Sequence, residues 1–166
     1  MNHIAVVIAT YKAEGCLHEL HSRLTPVLAK ITDRYEIIFV DDRGGDRSWE
    51  IVKELAAKDP KVKGVSLSRN FGQPVAISAG LAQARTDWIV VMDCDLQDSP
   101  EEIPEMYRKA RSGFDVVMTR RLAKKQTWWR NLGASVWAAS LSYLSESNID
   151  SRVGTMSIIS KKVADS

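Results

Sequence analysis

The sequence has few cysteines, little net charge and no long apolar run, and each absence excludes a class of protein. Its two cysteines, Cys16 and Cys94, lie far apart among 166 residues. They fit neither a disulfide framework nor a zinc-binding spacing, so we expect a reducing, cytoplasmic setting. No stretch of about 18 apolar residues is present to span a bilayer, and no signal-peptide pattern opens the chain. A formal net charge of +2 gives no support for nucleic acid as a partner.

Two phosphate-binding motifs are also missing. Neither the glycine-rich dinucleotide motif after the first predicted strand nor a P-loop sequence occurs in the chain. If a ligand of this protein carries a phosphate, the chain must bind that phosphate in another way. A metal ion combined with arginine is the available means. With 45% hydrophobic and 27% charged residues, the chain has the composition of one ordinary globular domain.

Short apolar runs alternate with segments of helical periodicity. The runs predict strands at Ile4 to Ala9, Tyr35 to Val40, Val62 to Leu67, Ile89 to Met92, Phe114 to Thr119 and Ile158 to Ser160. The periodic segments predict helices at 17–31, 51–56, 74–85 and 101–112. This alternation predicts an α/β fold with a parallel sheet, right-handed crossovers and helices on both faces.

Unusual polar residues follow the predicted strands at their carboxyl ends, where sheets of this kind bind ligands. They are Tyr11, Asp42, Arg69, Asp93 with Asp95, and Arg121. One site assembled from five loops accounts for all of them.

The fourth strand ends in a pattern that predicts a metal site. Buried strands rarely finish in several carboxylates, yet Asp93, Asp95 and Gln97 follow Met92 at alternate positions. In extended backbone these three side chains would point to one side and offer three oxygen ligands. Such a set suits Mg2+ or Mn2+, with other positions left for water and phosphate. The alternative is that the aspartates, with Asp98, only form a turn and a helix cap.

Five motifs in fixed order carry a resemblance to a known family. They are Ala9-Thr-Tyr-Lys12, Phe39-Val-Asp-Asp42, Leu67-Ser-Arg-Asn-Phe-Gly72, Met92-Asp-Cys-Asp-Leu-Gln-Asp98 and Asp115-Val-Val-Met-Thr-Arg-Arg121. The chain resembles the GT-A family 2 glycosyltransferases over nearly its whole length. Within that family it is most similar to polyprenyl-phosphate sugar transferases of the dolichol-phosphate mannose synthase and bactoprenol glucosyltransferase kind.

The resemblance implies a Rossmann-like GT-A fold and a site with assigned roles. Sugar would pass from a nucleotide-diphosphate sugar to a polyprenyl phosphate, undecaprenyl or dolichyl, with inversion. The implied nucleotide-binding residues are Ala9, Tyr11, Val40 and Asp42, with Arg69 counted among them. The implied metal ligands are Asp93, Asp95 and Gln97, and Asp93, Asp95 and Arg121 are the implied catalytic residues.

Departures from the family pattern leave the acceptor open. Lys12 and Ala13 replace an expected asparagine and glutamate, Glu14 is displaced by one position, and Thr155 and Ser157 stand where an acid and an arginine are usual. A lipid phosphate is already a nucleophile at neutral pH, so it would need no strong base. A sugar hydroxyl would need one, and Asp150 is the nearest candidate by position.

The segment Trp128 to Leu144 carries three tryptophans at roughly helical spacing beside basic residues. This pattern is typical of a helix at a membrane interface, and equally of a helix packed on the domain or on a second copy in a homo-oligomer. The resemblance favours the cytoplasmic face of the cell membrane. We expect residues 1–166 to be one catalytic domain, cut before interfacial or transmembrane helices, with a nucleotide-sugar half at 1–98 and an acceptor half at 99–166.

Two other functions compete with the polyprenyl-phosphate transferase. A soluble family 2 transferase acting on a glycan hydroxyl would share the donor site. A catalytically silent GT-A-like binding module would explain the substitutions at Lys12, Ala13 and Ser157.

Overall fold

The computed structural model of the chain describes residues 3–120 and 153–165. Six strands alternate with helices in the order that follows. They are β1 (Ile4–Thr10), α1 (Leu17–Ile31), β2 (Tyr35–Asp41), α2 (Ser48–Lys58), β3 (Val62–Ser66), α3 (Gln73–Gln83), β4 (Trp88–Asp93), a 3-10 turn (Pro100–Glu102), α4 (Ile103–Ala110), β5 (Val116–Arg120), β6 (Val153–Ser160) and α5 (Lys161–Ala164).

The strands form one sheet in the order β3-β2-β1-β4-β6-β5. The pairs β1 with β2, β1 with β4 and β2 with β3 are parallel, whereas β6 runs antiparallel to β4. The predicted mostly parallel α/β sheet is therefore confirmed, and β6 is its antiparallel exception. Because β1 lies between β2 and β4, the carboxyl ends of these three strands meet at one edge.

Apolar side chains cover both faces of the sheet. Leu17, Leu20, Leu24, Val27 and Leu28 recur every three or four residues on α1, so one stripe of that helix packs on the first face together with residues of α2 and α4. Small residues of α3 pack on the second face. Helices therefore cover both faces of the sheet, as the sequence predicts.

Helix α3 lies unusually close to β1 and β2. A Cβ atom at Gly80 would collide with the side chain of Val7 and lie 3.0 Å from Val40 Cγ2. Ala76, one turn earlier, has no exposed surface. These small residues fix the position of α3, whose first residues form a wall of the site described below.

Several element boundaries differ from the sequence prediction. Helix α2 begins at Ser48 rather than 51, and the predicted helix 101–112 divides into the 3-10 turn and the shorter α4. Strand β6 is eight residues long rather than three, and β5 begins two residues later than expected. Local apolar patterns locate the elements, but turn geometry and pairing set their ends.

The chain divides into two compact units, Met1–Met118 with Thr155–Ser166, and Thr119–Gly154. The candidate site lies wholly in the first. Among the helices within 3–120 and 153–165, none combines the length and apolar character needed to span a bilayer. Arg121, Asp150 and the segment Trp128 to Leu144 lie outside the described residues, so their predicted roles stay predictions.

Candidate functional site

A cavity of about 330 Å³ opens where the carboxyl ends of β1, β2 and β4 meet the start of α3. Its lining residues are Ala9, Thr10, Tyr11, Asp42, Asn70, Gly72, Gln73, Asp93, Cys94 and Asp95. Register explains why these segments converge, because Thr10 pairs with Asp41 and Ala9 pairs with Asp93 across the sheet. The cavity thus lies at the edge where parallel sheets bind their ligands.

Five residues predicted from the sequence line this cavity: Ala9, Tyr11, Asp42, Asp93 and Asp95. Three other predicted residues that the structure describes do not. Val40 is buried in the core of the second face, where its side chain packs against α3 at Gly80. The guanidinium of Arg69 stacks over the Phe71 ring, 4.8 Å from its centroid, and Gln97 is exposed outside the lining.

Asp42 holds the loop that precedes α3. Its side chain is only 3% exposed, and its Oδ1 accepts a 2.7 Å hydrogen bond from the backbone N–H of Phe71. Its Oδ2 accepts another from the N–H of Gly72 at 2.9 Å. Gly72 has a φ of 91°, which glycine adopts without strain. The end of β2 is therefore tied directly to the start of α3.

Asp93 is half-buried at the floor of the site. Gln73 Nε2 donates to its Oδ1 over 2.5 Å. Burial raises the pKa of the Asp93 carboxyl above its usual range, and the nearby charges of Asp98 and Asp95 raise it further. Hydrogen bonds from Thr155 and Gln73 act in the opposite direction.

The extended backbone predicted to run from Asp93 to Gln97 ends at Asp93. Leu96 has a φ of 62°, and the Gln97 N–H donates to Asp95 Oδ1 at 3.0 Å in an Asx turn. The alternate-side argument for three converging ligands is therefore wrong beyond Asp93, because this turn replaces the strand. Asp95 nevertheless lines the cavity, although it lies in this turn and not in an extended strand.

Asp98 stabilises the turn and joins it to β6. It is buried, and its Oδ2 accepts from the Asp93 N–H at 3.3 Å and from the Thr155 hydroxyl at 2.9 Å. Thr155, which stands where the resemblance would place an acid, is thus a hydrogen-bond donor to this carboxylate. No side chain caps the 3-10 turn that follows, so the alternative role of Asp98 as a helix cap is wrong.

The loop after β1 is bound to the start of α2. The Ala13 N–H donates to Ser48 Oγ at 2.8 Å, and Glu14 Oε2 accepts from the Arg47 N–H at 2.9 Å. Glu14 does not line the cavity. Its carboxylate satisfies a backbone donor beside the first turn of α2, so it does not replace the glutamate that the family pattern would place at the site.

The two thiols meet in the structure although they are distant in sequence. Cys94 lines the cavity and accepts a hydrogen bond from the Tyr11 N–H. Burial, together with the neighbouring Cys94 thiol, raises the pKa of Cys16 to about 11. Both cysteines are free and behave as neutral, partly buried groups.

The donor set fits a hard divalent cation that is shared with a ligand. Asp93 and Asp95 line one cavity, and their mutual repulsion contributes to the raised pKa of Asp93. Within residues 3–120 and 153–165, no three His, Cys, Asp or Glu side chains converge as a closed metal cage. Two carboxylates with open positions match the way Mg2+ is held together with phosphates.

An ion pair anchors the chain just beyond this turn. Arg23 on α1 donates from Nε and Nη2 to Glu101 at 3.1 and 2.7 Å, and Ser99 Oγ donates to the same carboxylate at 2.9 Å. The Arg23 hydrogen bonds lower the pKa of Glu101 from 4.5 to about 2. The paired, ionised carboxylate therefore contributes its full stabilisation above pH 4.5, and this contribution is lost as the pH falls through about 2.

We expect Arg23→Gln to lower the free energy of unfolding at pH 6 by only about 0.2–1 kcal/mol, because solvent screens this exposed pair. Urea unfolding of the wild type and the variant at pH 6 and at pH 2 measures the difference. The gap between the two proteins should be smaller at pH 2, because the folded protein then begins to lose the charge on Glu101. An equal gap at both pH values would contradict the role of the ionised Glu101.

The chain is similar in sequence to several known glycosyltransferases. The sequence model described as glycosyl transferase family 2 matches residues 5–166. An uncharacterised glycosyltransferase, YkcC of Bacillus subtilis, is 38% identical over 97% of this chain and 50% of its own length. The undecaprenyl-phosphate 4-deoxy-4-formamido-L-arabinose transferase of Aeromonas hydrophila is 39% identical over 80% of this chain and 41% of its own length. The chain thus spans about half the length of the curated relatives it matches.

Solved structures show the same fold. Glucosyl-3-phosphoglycerate synthase of Mycobacterium tuberculosis, crystallised with Mn2+, UDP and phosphoglyceric acid, superposes with a TM-score of 0.70 at 17% identity, over 98% of this chain and 57% of that one. TarS of S. aureus with UDP superposes with a TM-score of 0.55 at 23% identity, over 75% and 38%.

Proposed function

The chain belongs to glycosyl transferase family 2, and from this membership we propose that it transfers one sugar from a nucleotide-diphosphate sugar to a polyprenyl phosphate. The observation that carries the proposal is the cavity that brings Tyr11 and Asp42 together with Asp93 and Asp95. An aromatic ring and hydrogen-bonding groups suit a nucleoside, and paired carboxylates suit the ion that accompanies a diphosphate.

The donor would enter with its diphosphate beside β4. Asp93 and Asp95 would hold Mg2+ or Mn2+, which when bound offsets the negative charge that develops on the departing nucleotide diphosphate. Tyr11, 48% exposed at the cavity, offers a ring face to the base. Arg121 and Gln97 are further candidates, for the phosphates and for the ion respectively. The presence of Mn2+ and UDP in the mycobacterial synthase supports this choice of ligands.

The cavity favours a phosphate over a hydroxyl as the acceptor. Within the part of the chain that the structure describes, its carboxylates are Asp42, Asp93 and Asp95. Asp42 has both oxygens engaged by backbone N–H groups, and the other two are assigned to the ion. No carboxylate of this set remains to deprotonate a sugar hydroxyl, whereas a lipid phosphate is already ionised and can attack the anomeric carbon directly, with inversion.

The names of relatives point to the same acceptor. Several of them are undecaprenyl-phosphate 4-deoxy-4-formamido-L-arabinose transferases, and their names support our proposal that the reaction takes place at the cytoplasmic face of a membrane. Residues Trp128 to Leu144 are the proposed contact with that surface. We also keep the proposed division into a nucleotide-sugar half at 1–98 and an acceptor half at 99–166.

The test is calorimetric titration of UDP, GDP, dTDP and CDP into the chain, each with Mn2+ and with EDTA. One nucleotide should bind in the presence of Mn2+, and EDTA should weaken its binding by about tenfold or more, since the ion bridges the carboxylates and the diphosphate. Transfer is then followed as labelled sugar that enters a butanol-extractable lipid. If no nucleotide binds with Mn2+ present, or if EDTA changes nothing, the proposal fails.

A further inference from the structure

Gln73 connects the start of α3 to the Asp93 carboxylate at the end of β4. It is the first residue of α3, it lines the cavity, and its side-chain nitrogen lies 2.5 Å from Asp93 Oδ1. An ionised carboxylate only accepts hydrogen bonds, so the amide nitrogen of Gln73 must face it. The carboxylates that follow the predicted strands give no reason to assign Gln73 a role in the site.

The backbone that carries Gln73 is fixed from the other side of the site. Asp42 accepts hydrogen bonds from the N–H groups of Phe71 and Gly72, which are the two residues immediately before Gln73. Farther along α3, Ala76 and Gly80 are buried against the sheet. The side chain of Gln73 therefore extends towards Asp93 from a backbone that is held in place on both sides.

The orientation of Asp93 depends on few groups. Its carboxylate is half-buried beside Asp95 and Asp98, whose charges repel it, and the side chains of Thr155 and Gln73 hydrogen-bond to it. Gln73 supplies a neutral donor that offsets this repulsion without competing for the cation. In metal sites, the hydrogen bonds that orient a ligand carry much of the affinity.

Resting on the proposed function, we propose that Gln73 is a positioning residue that holds the Asp93 carboxylate for the divalent ion, and that Asp42 supports it through the loop at Phe71 and Gly72. The nucleoside end and the ion end of the cavity are then connected by one short segment. Asp42 influences metal affinity without being a ligand.

Mn2+ alone is the probe, titrated into the protein and measured by the electron paramagnetic resonance signal of the free ion. We expect Gln73→Met, which keeps the length of the side chain and removes the donor, to raise the Kd for Mn2+ about tenfold. The matched control is Gln83→Met, at the exposed far end of the same helix and outside the cavity lining, which should leave the Kd unchanged.

Thermal unfolding separates positioning from general damage. The Tm of Gln73→Met should stay close to that of the wild type, because the lost contact is exposed. Gln73→Asn keeps the amide but is one methylene shorter, so it should weaken Mn2+ binding as Gln73→Met does, and it decides the matter if Gln73→Met fails to fold. Wild-type affinity in a folded Gln73→Met or Gln73→Asn protein would overturn the role of Gln73.

A double-mutant cycle tests the support from Asp42. Asp42→Asn should weaken Mn2+ binding in the wild-type background, and it should have little further effect when Gln73 is already replaced by methionine. Fully additive losses would overturn the connection through the loop. If the wild type itself binds no Mn2+, this inference and the proposed metal site fail together. If the wild type binds and Gln73→Met binds equally well, only the role of Gln73 fails.

Discussion

Replacing Asp95 with asparagine should lower the rate of the proposed sugar transfer by about 10²–10³-fold, because one proposed charged ligand of the ion is lost where charge develops on the leaving group. The substitution is small, and the asparagine side chain would keep an oxygen for the hydrogen bond that Asp95 Oδ1 accepts from the Gln97 N–H. The side chain is exposed, so the fold should be retained. The measurement is labelled sugar in the butanol-extractable lipid, with saturating Mn2+.

The matched control is Asp33→Asn, which removes an exposed carboxylate on the connection between α1 and β2. Its activity should equal that of the wild type. Comparable activity in Asp95→Asn and Asp33→Asn would show that Asp95 does not hold the ion. The assignment of the metal site to this cavity would then have to be abandoned.

Replacing Phe39 with alanine should lower the free energy of unfolding by about 3–5 kcal/mol, since a fully buried aromatic side chain would leave a cavity in a close-packed core. Phe39 lies on β2 with no exposed surface and packs with residues of the first face. Because many small domains are stable by only about 5–15 kcal/mol, this is a large share of the total. Urea unfolding, followed by circular dichroism, measures the loss.

Phe114 provides the comparison. It precedes β5 and is 61% exposed, so Phe114→Ala removes the same atoms with little change in burial and should alter stability by no more than about 0.5 kcal/mol. If the two variants lose similar amounts of unfolding free energy, Phe39 does not make the stabilising core contacts that its burial indicates.

The parallel core could be predicted from the sequence because it is buried on both faces. Ile4 to Ala9 and Tyr35 to Val40 are nearly unbroken apolar runs, and such runs have few alternatives in an α/β chain. The direction of a strand, in contrast, could not be predicted from the sequence. Nothing in the residues of β6 indicates that it enters antiparallel to β4, since the alternation of side chains is the same in either direction.

Some residues of the candidate site could likewise be predicted from the sequence, and others could not. Asp42, Asp93 and Asp95 could be found because each follows a buried strand, and sheet topology alone brings those ends together. Gln97 was assigned from an assumed extended backbone, which the left-handed Leu96 interrupts. Gln73 was missed because its contact with Asp93 depends on the tertiary position of α3. Its place directly after Gly72, at the start of a helix of small residues, was the available signal.

The hydrogen bond between Thr155 and Asp98 spans 57 positions of sequence, and this has a consequence for the order of folding. Strands β1 to β4 can pair as soon as they leave the ribosome, but one edge of β4 stays open until β6 has been synthesised. Loops that close over long separations form late, and open edges favour aggregation meanwhile. We therefore expect the turn that carries Asp95 to be among the last parts of the chain to acquire its native conformation, so that competence to bind the donor marks completion of the sheet.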